Sequence, residues 1–380
     1  MRLRQLRLMI AAIAGATCLS AQAPARLPKI AGAMGVNLIV VPDGTVMTWG
    51  SPGAEGTYLG DGSDDRADRK LPAPIPGVHD IVDASVGFGH ALLVQRDGTV
   101  LGWGRNNMCE LAVADDRRRL TPIVIAGVRD AVQVAAGVTF SAAVLADGSV
   151  RVWGSNDAGL LANGKSGYTA DCSRVPVPVE GLAGVKRIVL TDTDALVLKQ
   201  DGTVWGWGRN SAGELCDGTT EPRTHPVQMK GIANAVDLDI GGNSVIVLSD
   251  GTVWMCGANN DASMSSAPKG SHTMPVKVAG ISTAVAVRTA GTTMVRLRDG
   301  TLLGWGYGMH GSLGDGFVDH VTPVPHAPSG LGPVLAHFYA SNSGYAIKAD
   351  GTVMGWGIYV GGDHEWALKP IPLFSVKLGN

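Results

Sequence analysis

A phrase of eight residues, Asp-Gly-Thr/Ser-Val/Leu-x-x-Trp/Cys-Gly, occurs seven times in this chain. The copies begin at Asp43, Asp97, Asp147, Asp201, Asp250, Asp299 and Asp350, with spacings of 54, 50, 54, 49, 49 and 51 residues. A regular period of this length is typical of proteins built from repeated small sheets. It constrains the fold more than the length of 380 residues does, since length alone would suggest two or three domains.

Each copy of the phrase predicts the tip of a β-hairpin. The Asp-Gly pair is typical of a two-residue primed turn, because glycine adopts positive φ without steric cost. A β-rich run such as Ala91–Val94 precedes the turn, and an alternating run such as Thr99–Trp103 follows it. A short apolar run before this pair, as in Val82–Gly87, and a proline-led run after it, as in Pro122–Ile125, complete four strands. We label them A to D and place D outermost, since proline is tolerated at a sheet edge.

Seven such units predict an all-β fold, a seven-bladed β-propeller of four-stranded antiparallel blades. Closure into a ring removes most of the sheet edges that an open array would expose. The structural alternative is an open β-solenoid, but its repeats are usually nearer about twenty to thirty residues and lack a hairpin within each repeat. We therefore predict a single propeller domain over residues 24–380.

The repeat resembles the regulator of chromosome condensation repeat. The resemblance rests on Ala-Gly before strand B, on Asp-Gly-Thr-Val-x-x-Trp-Gly, and on the polar segments Arg105–Asn107 and Arg209–Leu215 that follow it. It extends over residues 27–380 and implies a seven-bladed propeller that binds other macromolecules. The family's prototype is a nuclear nucleotide-exchange factor on chromatin, whereas similar secreted bacterial propellers include an inhibitor that clamps β-lactamases.

The aromatic residue of the phrase recurs at one position of every blade except the fifth, which has a cysteine there. We predict that these side chains pack between blades rather than stack on ligands. The seven residues are Trp49, Trp103, Trp153, Trp207, Cys256, Trp305 and Trp356. In blade 5, Trp254 lies on the same strand face as Cys256 and is expected to refill the gap.

Residues 1–23 are typical of an export signal. Three arginines within the first seven residues precede an apolar stretch, residues 8–19, and a small-x-small cleavage site at residues 21–23. About twelve apolar residues are too few to span a bilayer, so we expect no membrane insertion after cleavage. Cys18 lacks the preceding leucine of a lipidation site. We expect a bacterial protein that is periplasmic or secreted, and monomeric.

The charge of the chain argues against nucleic acid as a partner. Loss of the signal would change the net charge from −2 to about −5. The basic run Arg117–Arg119 follows Asp115 and Asp116 and is predicted to be a solvated loop. Both the charge and the export signal disfavour a nuclear exchange factor.

Four cysteines remain after the signal: Cys109, Cys172, Cys216 and Cys256. An oxidising compartment permits disulfides among them, and free buried thiols are the alternative. If one bridge forms, we expect it between Cys172 and Cys216, whose loops project from neighbouring blades.

The sequence predicts no enzyme, no cofactor and no metal site. Residues 306–311 match the dinucleotide fingerprint by letters, but they follow a repeat strand and enter a polar loop instead of a helix. Residues 61–65 cluster carboxylates without the closing glutamate of a calcium loop. Asp192 and Asp194 could form a general acid/base pair, but neither a histidine nor a nucleophile can be placed beside them.

Function is expected on the face that carries the A–B turns and the C–D loops, because these segments differ between blades while the B–C turn is the same in all seven. Aromatic side chains on such loops are typical anchors of protein-binding surfaces. The residues predicted to contact a partner are Tyr58, Phe88, His90, Phe140, Tyr168, Asp192, Asp194, Tyr307, Phe317, Tyr359 and Trp366. Several of them could instead cover their own loops, and for His90 a hydrogen bond to a neighbouring turn is the preferred interpretation.

The leading hypothesis is therefore a non-enzymatic, exported propeller that binds another protein, as an interaction module or inhibitor-like scaffold. The alternative is an envelope protein that binds or acts on cell-wall glycans through carboxylates such as Asp192 and Asp194. A purely structural envelope component is the third hypothesis.

Overall fold

The computed structural model describes residues 27–33, 35–51, 59–63, 68–167, 172–260, 262–265, 267–340, 342–358, 360 and 366–378. Within these residues the chain forms 28 β-strands and one short 3-10 turn, Met309–Gly311. The strands fall into seven sheets of four, each hydrogen-bonded in chain order A-B-C-D. The prediction of seven four-stranded blades is confirmed.

Blades 1 to 4 have the following strands. They are β1 Lys29–Ala33, β2 Val36–Val40, β3 Val46–Gly50 and β4 Arg69–Pro74; β5 Ile81–Val86, β6 His90–Gln95, β7 Val100–Gly104 and β8 Arg119–Val124; β9 Ala131–Ala136, β10 Phe140–Leu145, β11 Val150–Gly154 and β12 Ser173–Pro178; β13 Val185–Leu190, β14 Asp194–Lys199, β15 Val204–Gly208 and β16 Arg223–Gln228.

Blades 5 to 7 follow in the same order. Their strands are β17 Ala235–Ile240, β18 Asn243–Leu248, β19 Val253–Asn259 and β20 Gly270–Lys277; β21 Ala284–Ala290, β22 Thr292–Leu297, β23 Leu302–Tyr307 and β24 Val321–His326; β25 Ala336–Ala340, β26 Ser343–Ile347, β27 Thr352–Gly357 and β28 Ala367–Ser375. All neighbouring strands within a blade are antiparallel, as β14 and β15 illustrate.

The hairpin between strands B and C differs in detail from the predicted primed turn. In blade 2 the N–H of Gly98 donates to the carbonyl of Gln95 (2.9 Å), and Gly98 has φ +83° while Asp97 keeps a negative φ. Both kinds of primed turn need positive φ at the first central residue, which would be Asp97, so that prediction is wrong. The loop is a β-turn followed by a bulge glycine. Asp97 contributes through its side chain, which accepts the N–H of Thr99 at 2.9 Å, and the same contact recurs in all seven blades.

The ring closes by packing of the first blade against the last. Strand A of every blade contacts strand A of the next blade, including β1 with β25, and these seven strands line a central channel. At the closing seam Trp49 meets Tyr345 and Phe374 edge-on, with ring centroids 6.0 and 5.3 Å apart. Within the described residues, blades 1 and 7 are each formed by four consecutive strands, so closure relies on side-chain packing and no strand is exchanged.

The repeat tryptophans lie between blades and connect each blade to the preceding one. All six are nearly or completely buried. The indole N–H of Trp153 donates to the carbonyl of Glu110 at 2.7 Å, and that of Trp356 donates to the carbonyl of Ser312 at 2.8 Å. Each acceptor lies in the C–D loop of the preceding blade. These indoles therefore fill the seam and also satisfy a buried carbonyl, whereas the indole N–H of Trp49 has no hydrogen-bond partner among the described residues.

The disulfides join neighbouring blades in a pairing that the sequence did not predict. Cys109 pairs with Cys172 across blades 2 and 3, and Cys216 pairs with Cys256 across blades 4 and 5. The expected Cys172–Cys216 bridge is therefore wrong, and so is the alternative of free thiols. Cys172 lies on the side of its loop that meets blade 2. Cys216 faces the strand-C position that holds tryptophan in the other blades. Trp254 packs partly buried at the edge of this core, where its indole N–H donates to the Thr252 hydroxyl (3.0 Å).

The described residues contain no helix with the length and hydropathy that a transmembrane span requires.

Candidate protein-binding face

Backbone hydrogen bonds define the two faces of the ring. The A–B turn contacts the start of the C–D loop of its own blade, as in Arg105 N–H to Gly89 C=O (2.6 Å) and Ser155 N–H to Thr139 C=O (2.9 Å). We call the face formed by these turns and loops the loop face. The B–C turn instead contacts the D–A crossover, as in Ala131 N–H to Gly98 C=O (3.1 Å). This opposite side is called the hairpin face.

The predicted contact residues separate into three groups by position. Tyr58, Tyr168 and Tyr359 lie outside the described residues. The second group is buried and consists of His90, Phe140 and Asp194. The third group is at least partly exposed and consists of Phe88, Asp192, Tyr307, Phe317 and Trp366.

His90, Phe140 and Asp194 are buried because they share one position of the repeat. Each is the first residue of strand B and pairs with the glycine that ends strand C, as in His90 with Gly104. This position lies beneath the A–B turn and the C–D loop. A side chain here supports the loop face from below and does not reach its surface.

His90 belongs to a buried chain of hydrogen bonds between blades 2 and 3. Its Nε2 lies 2.8 Å from the Ser141 hydroxyl, which itself donates to the Glu110 carbonyl at 2.8 Å. Since the serine proton is used in that second bond, Nε2 carries the hydrogen of a neutral imidazole. Burial, reinforced by the charge of Arg105, lowers the pKa of His90 to about 3. The ring therefore serves as a neutral hydrogen-bond donor.

Phe88 is held in place by Arg105. The guanidinium lies 5.6 Å from the centroid of the Phe88 ring. The same group donates to the Glu110 carboxylate (3.0 Å) and to the carbonyl of Val138 (2.8 Å). Phe88 therefore lines the mouth of the central channel on the loop face in a fixed orientation.

Asp194 has both carboxyl oxygens occupied by its own loops. Oδ2 accepts from the Thr193 hydroxyl (2.6 Å), and Oδ1 accepts from the backbone N–H of Asn210 (2.8 Å). Burial raises the pKa of Asp194 to about 6 against the opposing effect of these hydrogen bonds. Asp192 is exposed on the turn above. Asp192 is therefore open to solvent while Asp194 is enclosed below it. A substrate could not contact both carboxyl groups from one side.

An apolar patch lies on the loop face where blades 6 and 7 meet. It consists of Phe317, Val318 and Trp366, which are 66%, 39% and 43% exposed. The C–D loop of blade 6 lies against the start of β28, where the N–H of Gly316 donates to the carbonyl of Leu368 (2.9 Å). The ring of His310, on the same loop, meets Trp366 edge-on at 4.7 Å.

The loop beneath the apolar patch is fixed by Asp315. Its Oδ2 lies 2.8 Å from Nε2 of His320 and 3.0 Å from Nε2 of His326, and its backbone carbonyl accepts from the Ser329 hydroxyl (2.9 Å). His320 also meets the Phe317 ring edge-on at 5.6 Å. Because these contacts hold the loop, a partner would not have to order it on binding.

The sequence identified Phe317 and Trp366 but missed Val318 and the Asp315 cluster. The pair Phe317-Val318 between Gly316 and Asp319 is a short apolar run inside a polar loop, and this signal was available. The convergence of His320 and His326 on one carboxylate depends on how the loop folds back onto β24. Among the described residues, no group of three or more His, Cys, Asp or Glu side chains is arranged to hold a metal ion.

Carboxylates lie beside the basic run of blade 2, and one of its arginines is paired. Arg119 binds the Asp115 carboxylate with two nitrogens, at 3.0 and 2.9 Å, and Asp116 binds Arg174 of blade 3 at 2.8 Å. The guanidinium of Arg119 is therefore already occupied by a carboxylate of its own loop.

Comparison with known proteins finds matches to one repeat family in part of the chain. The regulator of chromosome condensation (RCC1) repeat matches residues 97–144 and 201–248, and a second description of the same repeat matches residues 81–108 and 131–160. These matches fall in blades 2 to 5.

Solved structures resemble the whole ring. Human WBSCR16 is 19% identical, with a TM-score of 0.72 and coverage of 87% of this chain and 94% of that one. Prp20p of Saccharomyces cerevisiae, described with its binding to Gsp1p and histones, is 18% identical with a TM-score of 0.74, covering 89% and 87%. Yeast RCC1 (Prp20) in complex with Kap60 is also 18% identical with a TM-score of 0.74, covering 97% and 91%. At these identities the likeness concerns the fold.

Proposed function

We propose that this chain, which is an RCC1-repeat seven-bladed propeller, is an exported scaffold that binds another protein through the apolar patch of its loop face. The observation that carries the proposal is the exposure of Phe317, on a blade 6 loop held by its own hydrogen bonds, and of Trp366, next to the start of β28, against which that loop lies. The hairpin face, in contrast, repeats the same Asp-Gly turn in every blade.

A protein partner fits this surface better than the alternatives do. Aromatic side chains dominate the energy of protein interfaces, and a preorganised loop avoids the entropy cost of ordering on binding. Solved propellers of the same fold are described with the protein partners Gsp1p, histones and Kap60. The net charge of −2 and the pairing of Arg119 with Asp115 disfavour nucleic acid. The enclosed carboxyl of Asp194 disfavours glycan chemistry.

Export is supported by two independent features. The first is the signal-like sequence of residues 1–23. The second is the pair of disulfides, because such bridges persist in oxidising compartments and are rare in the cytosol. Cell fractionation, followed by N-terminal sequencing of the mature chain, tests this part of the proposal. An intact N-terminus in the cytoplasmic fraction, with four free thiols, would contradict export.

The binding role is tested with the double variant Phe317→Ala, Trp366→Ala. The control is Leu71→Ala, Val175→Ala, since these residues are 67% and 62% exposed on the outer strands of blades 1 and 3. Envelope proteins captured by the parent and by the control, but not by the patch variant, are identified and purified. Each anchor is expected to contribute at least about 2 kcal/mol, a loss of about thirtyfold in affinity per residue.

Two results decide the proposal. The patch variant must keep the melting temperature of the parent, since both side chains are exposed. If it binds the purified partner with unchanged affinity, the apolar patch is not the binding site.

A further inference from the structure

The strand register places one residue of each A strand at the same height around the central channel. This position lies opposite the fifth residue of strand B in every blade, as in Asp83 with Val94 and Arg187 with Leu198. We call the seven residues the inner ring. They are Lys29, Asp83, Gln133, Arg187, Asp237, Ala286 and Ala336.

Three inner-ring residues have side-chain acceptors, and each accepts a backbone N–H from strand A of the next blade. Asp83 accepts the backbone N–H of Val134 at 3.0 Å, and Gln133 accepts that of Ile188 at 2.8 Å. Asp237 accepts the N–H of Val287 at 3.0 Å. Strand A has a free edge toward the channel, so these hydrogen bonds satisfy donors that a sheet would otherwise leave open.

The other four ring residues cannot act in this way. Ala286 and Ala336 have no side-chain acceptor, and Lys29 and Arg187 carry only donors. At blades 1 and 4 the inner ring therefore presents donors and positive charge, and at blades 6 and 7 its side chains have no polar group.

Positive charge accumulates in the chamber that opens from the inner ring toward the hairpin face. The chamber has a volume of about 500 Å³, and its charged lining consists of Lys29, Lys186, Arg187, Arg288 and Asp83. Asp237 lies between the two arginines, 2.7 Å from Arg187 and 3.0 Å from Arg288, and Lys29 pairs with Asp83. Asp239 also acts on both arginines, so four cations face three carboxyl groups, in a chain whose net charge is negative.

Two of these cations have unused hydrogen-bonding capacity. The Nε–H of Arg187 is buried and has no hydrogen-bond partner among the described residues. Lys186 is exposed at the rim and makes no ion pair within the same part of the chain. Cations around a confined space concentrate anions, and arginine binds carboxylate and phosphate oxygens with directed N–H groups.

We propose that this chamber binds a small oxyanion, a carboxylate or phosphate group on a solute that fits the chamber. Arg187 contributes the unpartnered N–H at the floor, and Lys186 contributes charge at the rim. The site lies on the opposite side of the ring from the apolar patch and does not depend on the binding role proposed for that patch. A purely structural role for the Arg187–Asp237–Arg288 triad is the competing explanation, since buried ion pairs also occur without ligands.

Calorimetric titration with sodium phosphate and with sodium citrate tests the proposal, with sodium chloride at equal ionic strength as the reference. Saturable binding of phosphate, citrate or both is expected, and the comparison shows which oxyanion the chamber prefers. Absence of saturable binding by either anion to the parent protein overturns the proposal.

Variants then locate the site. Arg187→Met is expected to reduce affinity by about tenfold or more, which corresponds to the loss of one charge-assisted hydrogen bond. Arg187 also supports Asp237, so Lys186→Gln serves as a second variant without a structural contact to lose. Lys165→Gln makes the same charge change on an exposed loop-face residue and is expected to bind as the parent does. If Lys186→Gln and a folded Arg187→Met both bind as tightly as Lys165→Gln, the anion does not occupy this chamber.

Discussion

Two seams between blades share the same hydrogen bond but differ in the side chain that fills them. They are the seam between blades 2 and 3 and the seam between blades 4 and 5. In each, a serine near the start of strand B donates to a carbonyl in the C–D loop of the preceding blade. Ser141 donates to Glu110 at 2.8 Å, and Ser244 donates to Glu214. In each, the glutamate that provides the carbonyl is buried.

The two seams differ in the residue that the serine faces across the hairpin. Ser141 is opposite Trp153, and Ser244 is opposite Cys256. Trp153 reaches the preceding loop through a hydrogen bond, whereas Cys256 reaches it through a covalent bond to Cys216. The comparison teaches that strand register sets the geometry of the seam. The side chain only has to fill the space and connect to the preceding loop.

The largest effect is expected from emptying the first seam. Trp153→Ala removes a fully buried indole and its bond to Glu110, and should lower the free energy of unfolding by about 3–5 kcal/mol. Urea denaturation followed by circular dichroism measures this change. Trp366→Ala is the control, because Trp366 is 43% exposed and its loss should change the free energy by at most about 0.5 kcal/mol. A Trp153 variant with the same free energy of unfolding as the parent would show that the indoles do not hold the blades together.

The second prediction concerns the covalent seam. Cys216→Ala with Cys256→Ala should cost about 2–4 kcal/mol. The control is Cys109→Ala with Cys172→Ala, which opens the other bridge. That bridge closes a longer segment, 63 residues against 40, so chain entropy alone would make its loss about 0.4 kcal/mol more costly. We expect the reverse order, because Cys216 and Cys256 are both fully buried and fill the seam. A larger loss for the Cys109 pair would indicate that cross-linking matters more than packing.

A third variant tests whether the two solutions are interchangeable. Cys256→Trp with Cys216→Ala gives the fifth blade the indole of the other blades. Alanine suits position 216, because the equivalent Ala112 and Ala162 have φ of 51° and 52° and Cys216 itself has 51°. This variant should regain about 1–2 kcal/mol relative to the double alanine variant, through burial of the ring. Equal stability of the two would mean that seam 4/5 has adapted its packing to the bridge.

The sequence predicted the parts of this molecule that repeat. Seven copies of one phrase fixed the number of blades, and the prolines of β8 and β12 indicated the outer edge. Repetition provides many independent observations of one local geometry, so the strand pattern could be recognised without contacts. The bulge after the hairpin was missed because an Asp-Gly pair fits two kinds of turn, and the choice depends on the φ of the aspartate.

The parts that could not be predicted depend on which way a loop folds. Blade 3, which carries Cys172, adjoins both blade 2 and blade 4. The order of the blades therefore allows a bridge to either neighbour, and the position of Cys172 in the folded loop selects Cys109. His90, Phe140 and Asp194 seemed to be turn residues because they follow the A–B turn directly. The register makes them the first residues of strand B and buries them. Phe317 could be identified from the sequence because the other blades have no aromatic residue at its position. Such a residue is not required by the common blade structure and is therefore available for binding.

The smallest expected effect is a difference in pH dependence between the same two regions. His90 and Asp194 occupy equivalent positions next to the buried glutamates Glu110 and Glu214. Burial lowers the pKa of His90 to about 3, below its ordinary value of 6.5, so its contribution to stability is present above pH 6.5 and is lost as the pH falls. Burial raises the pKa of Asp194 from 3.8 to about 6, so its contribution is present at low pH and is lost as the pH rises through 6.

Between about pH 4 and pH 6 the two groups should therefore act in opposite directions. His90→Gln should flatten the loss of stability on acidification, and Asp194→Asn should steepen it, each by up to about 1.4 kcal/mol per pH unit. Urea midpoints measured at intervals across this range give the slopes. His337, whose pKa burial also lowers to about 3, is present in both variants, so its effect cancels in the comparison. If both substitutions change the slope in the same direction, burial does not lower the pKa of His90 and raise that of Asp194.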